Sequence, residues 1–353
     1  MRPLALTIGD AAGIGPEVLL AALAGIDPAQ TPIVVYGVRH LLDLSWDALH
    51  SLRADLLPPS ALRPITRDEL AHPPAIPPAA HALVDVSDDL PEPARRAIEA
   101  LDAIPFGQPF AAFGHLQGVA LEAAIDDALA GHVSGICTAP LTKSLFLLAG
   151  RPPTGHTEIL AERTVAPHHV MMLAGDRLRV ALVTTHLPLG AVPAALTTEA
   201  IVATIGTTAH DLAHRFGVAA PRIAVAALNP HAGESGTMGL EERDLIAPAI
   251  ARAIELGYDV HGPFPADTLF APLGRPDRPW PWDAVVCMYH DQALIPLKLV
   301  HFGQSANITL GLPIVRTSVD HGTAWDIAGL GKADHASMAW AIHAAVRLLP
   351  PDP

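Results

Sequence analysis

The chain has 353 residues, half of them hydrophobic, which allows a large buried core and excludes an intrinsically disordered protein. Its 36 acidic residues outnumber its 22 basic residues, and the net charge of -14 argues against a nucleic-acid-binding or anionic-membrane surface. Two cysteines, Cys137 and Cys287, are too few for a disulfide framework, so we expect buried thiols and a reducing compartment. We also expect a cytoplasmic location, because Asp10 interrupts the short apolar start and no apolar run approaches the ~20 residues of a spanning helix.

Short β-type runs alternate with amphipathic helical patterns along most of the chain, which predicts an α/β fold. The predicted strands are 4–8, 33–36, 135–138, 169–173, 180–184, 222–228 and 284–288, with 169–173 and 180–184 forming a hairpin. The predicted helices are 16–24, 114–130, 157–162, 198–216, 241–256 and 335–349. Seven prolines crowd the segment 57–78, which we interpret as a surface excursion rather than a core element.

Histidines follow three of the predicted strands. Strand 180–184 runs into His186, strand 222–228 into His231 and strand 284–288 into His290. Because ligands bind outside the carboxyl ends of strands in open α/β sheets, these three side chains are expected to converge on one site. Three imidazoles suit Zn, Co, Ni or Fe, and such an ion polarises an alcohol or carbonyl oxygen. The alternative for each histidine is a loop side chain bonded to backbone.

A second group of polar residues suggests an anion site. His156 and Thr157 open a predicted helix, whose first backbone N–H groups attract anions. Lys298 and Arg316 lie in otherwise uncharged surroundings, so each needs an anionic ligand or an internal acidic partner. Two glycine-containing loops, at 9–17 and 320–329, have the composition of phosphate- or ribose-binding turns, although neither has the Gly-x-Gly-x-x-Gly spacing.

Taken together, these segments resemble the 4-hydroxythreonine-4-phosphate dehydrogenase family of pyridoxal-phosphate biosynthesis. The motifs that carry the resemblance, in chain order, are Gly-Asp-x-x-Gly-Ile-Gly-Pro-Glu, Gly-His-Thr-Glu, Thr-Thr-His-Leu-Pro-Leu, Asn-Pro-His-Ala-Gly-Glu, Pro-Ala-Asp-Thr, Met-Tyr-His-Asp-Gln, Asn-Ile-Thr-Leu-Gly-Leu-Pro, Arg-Thr-Ser and Asp-His-Gly-Thr-Ala. The first and last of them also look like loops of isocitrate and isopropylmalate dehydrogenases. The resemblance departs from the family pattern at Ala11, where a proline is expected, and at 273–282, which looks longer than the pattern requires.

The resemblance implies roles for individual residues. The metal ligands are His186, His231 and His290, holding one divalent ion (Zn, Mg or Co), and Asp267 and Asp291 transfer protons or orient those imidazoles. The implied substrate-binding residues are His156, Thr157, Lys298, Asn307 and Arg316. The implied NAD-binding residues are Gly13, Gly15, His321, Gly322, Thr323, Ala324 and Asp326, with NADP as an alternative cofactor.

The resemblance also implies two α/β/α domains with an active-site cleft between them. We place the cofactor-side domain at 1–130 plus 307–353, and the domain with metal, substrate and dimer contacts at 131–306. A homodimer with shared active sites is expected, with His290 as the ligand from the second chain. The implied reaction oxidises the C3 alcohol of 4-phosphohydroxy-L-threonine with NAD and then releases carbon dioxide, giving 3-amino-2-oxopropyl phosphate. Alternatives are dehydrogenation of threonate or erythronate 4-phosphate or of a dihydrodiol acid, a phosphate acyltransferase, and a silent binding protein.

Overall fold

The computed structural model describes residues 2–72, 80–275 and 279–349. The strands are β1 (Leu4–Thr7), β2 (Ile33–Gly37), β3 (Arg63–Pro64), β4 (Ala82–Asp85), β5 (Gly135–Thr138), β6 (Val170–Ala174), β7 (Arg179–Leu182), β8 (Arg222–Ala226), β9 (Asp259–Phe264), β10 (Ala284–Cys287), β11 (Ala306–Leu310) and β12 (Val315–Ser318). The helices are α1 (Gly15–Ala24), α2 (Arg39–Leu49), α3 (Arg67–Leu70), α4 (Glu92–Glu99), α5 (Ala111–Leu129), α6 (Lys143–Leu148), α7 (His156–Thr164), α8 (Val192–Ala195), α9 (Thr198–His214), α10 (Ala247–Glu255), α11 (Ala266–Leu269), α12 (His290–His301) and α13 (Ala336–Leu348). The predicted α/β class is therefore confirmed.

The chain divides into two compact units, which we call unit 1 (Met1–Val165 with Pro313–Pro353) and unit 2 (Ala166–Leu312). The sequence analysis set the corresponding boundaries at 130/131 and 306/307. The observed division keeps β5, α6 and α7 in unit 1, because β5 pairs with both β1 and β12.

Unit 1 is built on parallel strands in the order β3-β4-β2-β1-β5-β12. Strands β1, β2, β5 and β12 are buried along their whole length, as expected for a parallel sheet covered on both faces. Helix α5 packs against β1, β2 and β5, and α13 packs against β5 and β12. The chain passes from β1 to β2 on one side of β1, and after β4 it returns to β5 on the other side. The carboxyl edge at such a switch point is where open α/β sheets bind ligands.

Unit 2 has a mixed sheet in the order β11-β6-β7-β10-β8-β9. The predicted hairpin is confirmed as the antiparallel pair β6 and β7. Strands β7, β10, β8 and β9 run parallel, so the loops that follow them emerge at one edge. A core that includes Val180, Ala224, Val285 and Leu297 fills the space beside this sheet, and Cys287 is a free buried thiol within it.

The prediction for 57–78 was wrong in its first part. Strand β3 pairs in parallel with β4, and Leu62, Ile65 and Leu70 around it are buried. Prolines are compatible with this position because β3 is an edge strand, which needs no N–H donor on its outer side. The rest of that predicted excursion, from residue 73 onward, lies outside the described residues.

Within the described ranges no single helix is long and apolar enough to cross a membrane. One bent pair of helices, Leu189–Ala195 with Thr198–His214, passes that test by length and composition only.

Candidate active site

Two of the three strand-end histidines lie side by side in unit 2. His186 follows β7 and His290 begins α12 directly after β10, and their ring centroids are 5.5 Å apart. The ends of the two strands are tied together, because the Thr184 backbone N–H and side-chain O–H both donate to the Met288 carbonyl, at 3.2 and 2.6 Å. The predicted convergence of histidines therefore holds for this pair.

His231 lies on an unusual turn after β8. Residues 231–235 all have positive φ, between 44° and 79°, in a 3₁₀ segment (Pro230–Gly236). Non-glycine residues adopt this left-handed conformation at a cost of roughly 1 kcal/mol or more each, so the surrounding structure must hold it. Glu242, which is 5% exposed, accepts hydrogen bonds from the backbone N–H groups of Leu228 and Asn229 at 2.8 and 2.6 Å.

The described part of the chain contains no group of three His, Cys, Asp or Glu side chains close enough to hold a metal ion. The structure therefore brings His186 and His290 together but does not complete the predicted triad with His231 in one chain. Two adjacent imidazoles are a donor pair suited to Zn or Co, so this pair fits part of a metal site.

The two predicted acid–base residues lie in different surroundings. Asp267 is exposed in α11 and lines a cavity of ≈ 500 Å³ together with His231, Asn229 and Tyr289. Asp291 is exposed, and its Oδ1 is 2.7 Å from Nδ1 of His290. A carboxylate in that position fixes the tautomer that leaves Nε2 available as a ligand, so the contact supports the orienting role.

Two predicted substrate residues belong to unit 2. Lys298 lies two turns after His290 on α12, about 12 Å further along the helix at ~1.5 Å per residue. Asn307 is in β11, and its Oδ1 is buried without a hydrogen-bond partner among the described residues. A buried acceptor of this kind is satisfied when a ligand supplies a donor.

Unit 1 gathers cationic groups around the amino end of α7. Arg316 in β12 is 2% exposed and donates from Nη2 to Oγ1 of Thr138 at 2.9 Å. Burial lowers its pKa to about 10, although Cys137 and Glu158 favour the charged form. Burial, followed by the positive charges of Arg316 and Lys143, holds the pKa of His156 well below its usual range, so its imidazole is neutral.

The same region includes residues that the sequence analysis missed. Lys143 begins α6 and lies 3.9 Å from Glu158, and Thr138 ends β5. Both could have been found from the polar Thr-Ala-Pro-Leu-Thr-Lys run that follows a predicted strand. Thr157 occupies the second position of α7, where backbone N–H groups are unpaired within the helix. The concentration of positive charge at a helix amino end favours an anion.

The two glycine-containing loops of unit 1 lie against each other. Ile14 donates its backbone N–H to the carbonyl of Thr323 at 3.0 Å, and a Cβ on Gly13 would be 2.6 Å from that same oxygen. A Cβ on Gly15 would be 2.6 Å from the carbonyl oxygen of Ile8. Both glycines are therefore needed for close backbone packing, whatever ligand the loops bind.

The segment His321–Asp326 has features of an incomplete binding surface. Nε2 of His321 is buried without a hydrogen-bond partner among the described residues, and a Cβ on Gly322 would meet open space. Asp326 is exposed, and Ala324 has a φ of 43°. An orphaned buried nitrogen beside an open backbone at a switch point fits a dinucleotide.

Comparisons with known proteins agree with the sequence motifs. The family model described as "Pyridoxal phosphate biosynthetic protein PdxA" matches residues 30–345. A 4-hydroxythreonine-4-phosphate dehydrogenase of Burkholderia vietnamiensis is 47% identical over 352 residues, covering 98% of this chain and 96% of the relative. The crystal structure of the enzyme of that name from Klebsiella pneumoniae superposes with a TM-score of 0.80 at 39% identity, covering 99% of each chain.

A less similar structure is that of an enzyme named for a different substrate. The terephthalate 1,2-cis-dihydrodiol dehydrogenase of Burkholderia xenovorans has a TM-score of 0.61 at 28% identity, covering 98% of each chain. Both its TM-score and its sequence identity to this chain are lower than those of the Klebsiella enzyme. The chain belongs to the PdxA family of dehydrogenases, which act in pyridoxal phosphate biosynthesis.

Proposed function

We propose that this chain oxidises the C3 alcohol of 4-phosphohydroxy-L-threonine with NAD and that the product loses carbon dioxide to give 3-amino-2-oxopropyl phosphate. The observation that carries the proposal is the 47% identity over nearly the whole chain to a relative named for this substrate. The geometry supports it with paired strand-end histidines in unit 2 and a buried cationic group in unit 1.

The histidines would hold one divalent ion, which supplies Lewis-acid polarisation of a substrate oxygen when bound. Zn, Co and Mg are the candidates, and the nitrogen donors of His186 and His290 favour Zn or Co. Asp291 would hold the His290 ring in the tautomer that binds through Nε2. Asp267 borders the cavity beside His231 and is the carboxylate we propose for proton transfer.

The substrate has two anionic ends, and the chain offers cationic groups for both. Arg316, His156 and Thr157 would bind one of them, with the neutral His156 ring acting as a hydrogen-bond partner rather than a charge. Lys298 and Asn307 are the other residues that we propose for substrate binding. NAD would lie along His321–Asp326, and the choice between NAD and NADP stays open. The cytoplasmic location expected from the sequence stays a prediction.

We further propose a homodimer in which each metal site takes ligands from both chains. The proposal follows from the pairing of His186 with His290, to which the described part of the chain adds no third side chain close enough to complete a metal site. We propose His231 as the ligand from the second copy, where the sequence analysis expected His290.

Mixing inactive variants identifies the ligand from the second chain. His186→Ala refolded with His231→Ala should recover about a quarter of wild-type activity, because half of randomly paired dimers are mixed and each holds one intact site. His186→Ala refolded with His290→Ala should stay inactive, since both residues then belong to the same half-site. Recovery by the second mixture alone would restore His290 as the ligand from the partner chain.

The proposed reaction is tested by assaying the purified protein with 4-phosphohydroxythreonine and NAD and following NADH and carbon dioxide. Erythronate 4-phosphate, threonate 4-phosphate and a dihydrodiol acid serve as competing substrates. Faster turnover of any of these would replace the proposed substrate. Thermal stabilisation by coenzyme A but not by NAD would instead indicate an acyltransferase, because a ligand stabilises the protein that binds it.

A further inference from the structure

Asp10 joins three segments of unit 1 at the carboxyl edge of its sheet. Its Oδ1 accepts a hydrogen bond from the Ala12 backbone N–H at 2.9 Å. Its Oδ2 accepts from the Thr142 hydroxyl at 2.5 Å and from the indole N–H of Trp325 at 2.8 Å. The residue is 0% exposed, so these donors replace the water that a buried carboxylate loses.

The contact with Trp325 reaches into the segment proposed to bind the dinucleotide. Thr323, two residues earlier, is held by the Ile14 backbone N–H at 3.0 Å and by Oγ1 of Thr142 at 3.1 Å. The residues on both sides of Ala324 are thus fixed to the core of unit 1. Fixing them is necessary because Ala324 has a left-handed φ of 43°, which a non-glycine residue leaves when it is free to relax.

We propose that Asp10 is a positioning residue for the dinucleotide, holding His321–Asp326 in its binding conformation through the indole of Trp325. The inference rests on the proposed function for the role of that segment, and it adds a residue that does not itself touch the cofactor. An amide at position 10 keeps only one acceptor oxygen, so its NH2 group must face either the Ala12 N–H or the two side-chain donors at Oδ2. A phenyl ring at position 325 has no N–H to donate.

The test measures NAD binding directly, by titration calorimetry on the full-length protein. Trp325→Phe and Asp10→Asn should each weaken NAD binding about tenfold, which corresponds to ~1.4 kcal/mol. The double variant should bind no more weakly than Asp10→Asn alone, because both changes remove one interaction. Inorganic phosphate, which we expect to bind near Arg316, should raise the thermal stability of Trp325→Phe as much as it raises that of the wild type.

Two matched controls separate positioning from general loosening. Glu17→Gln alters another buried carboxylate, in α1, whose partners are Arg53 and the Ala333 backbone rather than the 321–326 segment. Trp46→Phe alters a tryptophan of α2 that stacks on His50. Both controls should bind NAD with wild-type affinity.

The outcomes distinguish this inference from the proposed function. Wild-type affinity for NAD in Trp325→Phe, additive losses in the double variant, or an equal loss of phosphate stabilisation would each overturn the positioning role while leaving the proposed reaction in place. If the wild-type protein itself does not bind NAD or NADP, the proposed function fails first. If Asp10→Asn does not fold, the NAD affinity of Trp325→Phe, compared with that of Trp46→Phe, tests the positioning role.

Discussion

Replacing Arg316 by methionine should make the ligand-free protein more stable and remove its response to phosphate. Burial lowers the pKa of this arginine from its usual range to about 10, so the folded protein holds the charge less favourably than the unfolded chain does. At ~1.4 kcal/mol per pH unit, the difference corresponds to a penalty of about 3 kcal/mol that is present below pH 10. The penalty disappears as the pH rises above about 10, because the folded protein then releases the proton first.

Part of that gain is lost again with the hydrogen bond from Arg316 to Thr138. Removing such a bond costs ~1 kcal/mol, so the free energy of unfolding of Arg316→Met should rise by about 1–3 kcal/mol at pH 7. Denaturant unfolding measures this change. Arg63→Met, at an exposed position in β3, is the control and should stay within ~0.5 kcal/mol of wild type.

The same variant tests the anion site. Saturating inorganic phosphate stabilises a protein that binds it, by ~2.7 kcal/mol at a hundred times the dissociation constant, and Arg316→Met should lose this stabilisation. A variant that is less stable than wild type by more than ~1 kcal/mol would refute the desolvation argument. A variant that keeps the full phosphate response would refute the assignment of Arg316 to an anionic ligand.

Three further predictions concern unit 2. His186→Ala and His290→Ala should each abolish turnover and weaken cobalt or zinc binding by calorimetry; full activity of either after chelation would exclude it as a ligand. Lys298→Ala should lower kcat/KM for the phosphorylated substrate by the equivalent of roughly 2–5 kcal/mol, with a smaller loss on a non-phosphorylated analogue; equal losses would remove its phosphate contact. Glu242→Ala should lower the unfolding free energy by roughly 2–4 kcal/mol and weaken metal binding. The exposed control Glu255→Ala should change neither quantity. If Glu242→Ala also changes neither, the turn at His231 keeps its conformation without Glu242.

The sequence predicted best those elements whose pattern is local. Strands such as β1, β2 and β5 are continuous apolar runs bounded by glycine or polar turns, and the structure places them within one or two residues of the prediction. Helix α12 was missed, because Pro296 in its interior argues against a helix of that length. The edge strand β3 was missed because its pairing with β4 depends on residues about 20 positions away.

The site shows the same division between local and long-range information. The strand-end rule predicted the meeting of His186 and His290, since it needs only that β7 and β10 be parallel neighbours. The left-handed turn at His231 could not be predicted, because four of its five residues are not glycine. The residues just before it are held by hydrogen bonds to Glu242, which follows later in the chain. The anion-binding role assigned to Arg316 from the sequence stays a prediction, and Lys143, whose charge also acts on His156, is distant from it in sequence.

The neutral imidazole of His156 has a consequence for how the enzyme responds to acidity. A ring whose pKa lies well below its usual range stays neutral when the pH falls from neutral toward that usual range. A loss of phosphate affinity on this acidification is then expected to come from the ligand rather than from His156, because the second ionisation of a phosphate has a pKa of about 6. Affinity for a phosphonate or sulfate analogue should follow the ionisation of the analogue instead, so the acid limb of the binding profile would move with the ligand. A limb fixed at one pH for all three anions would show that a protein group titrates there.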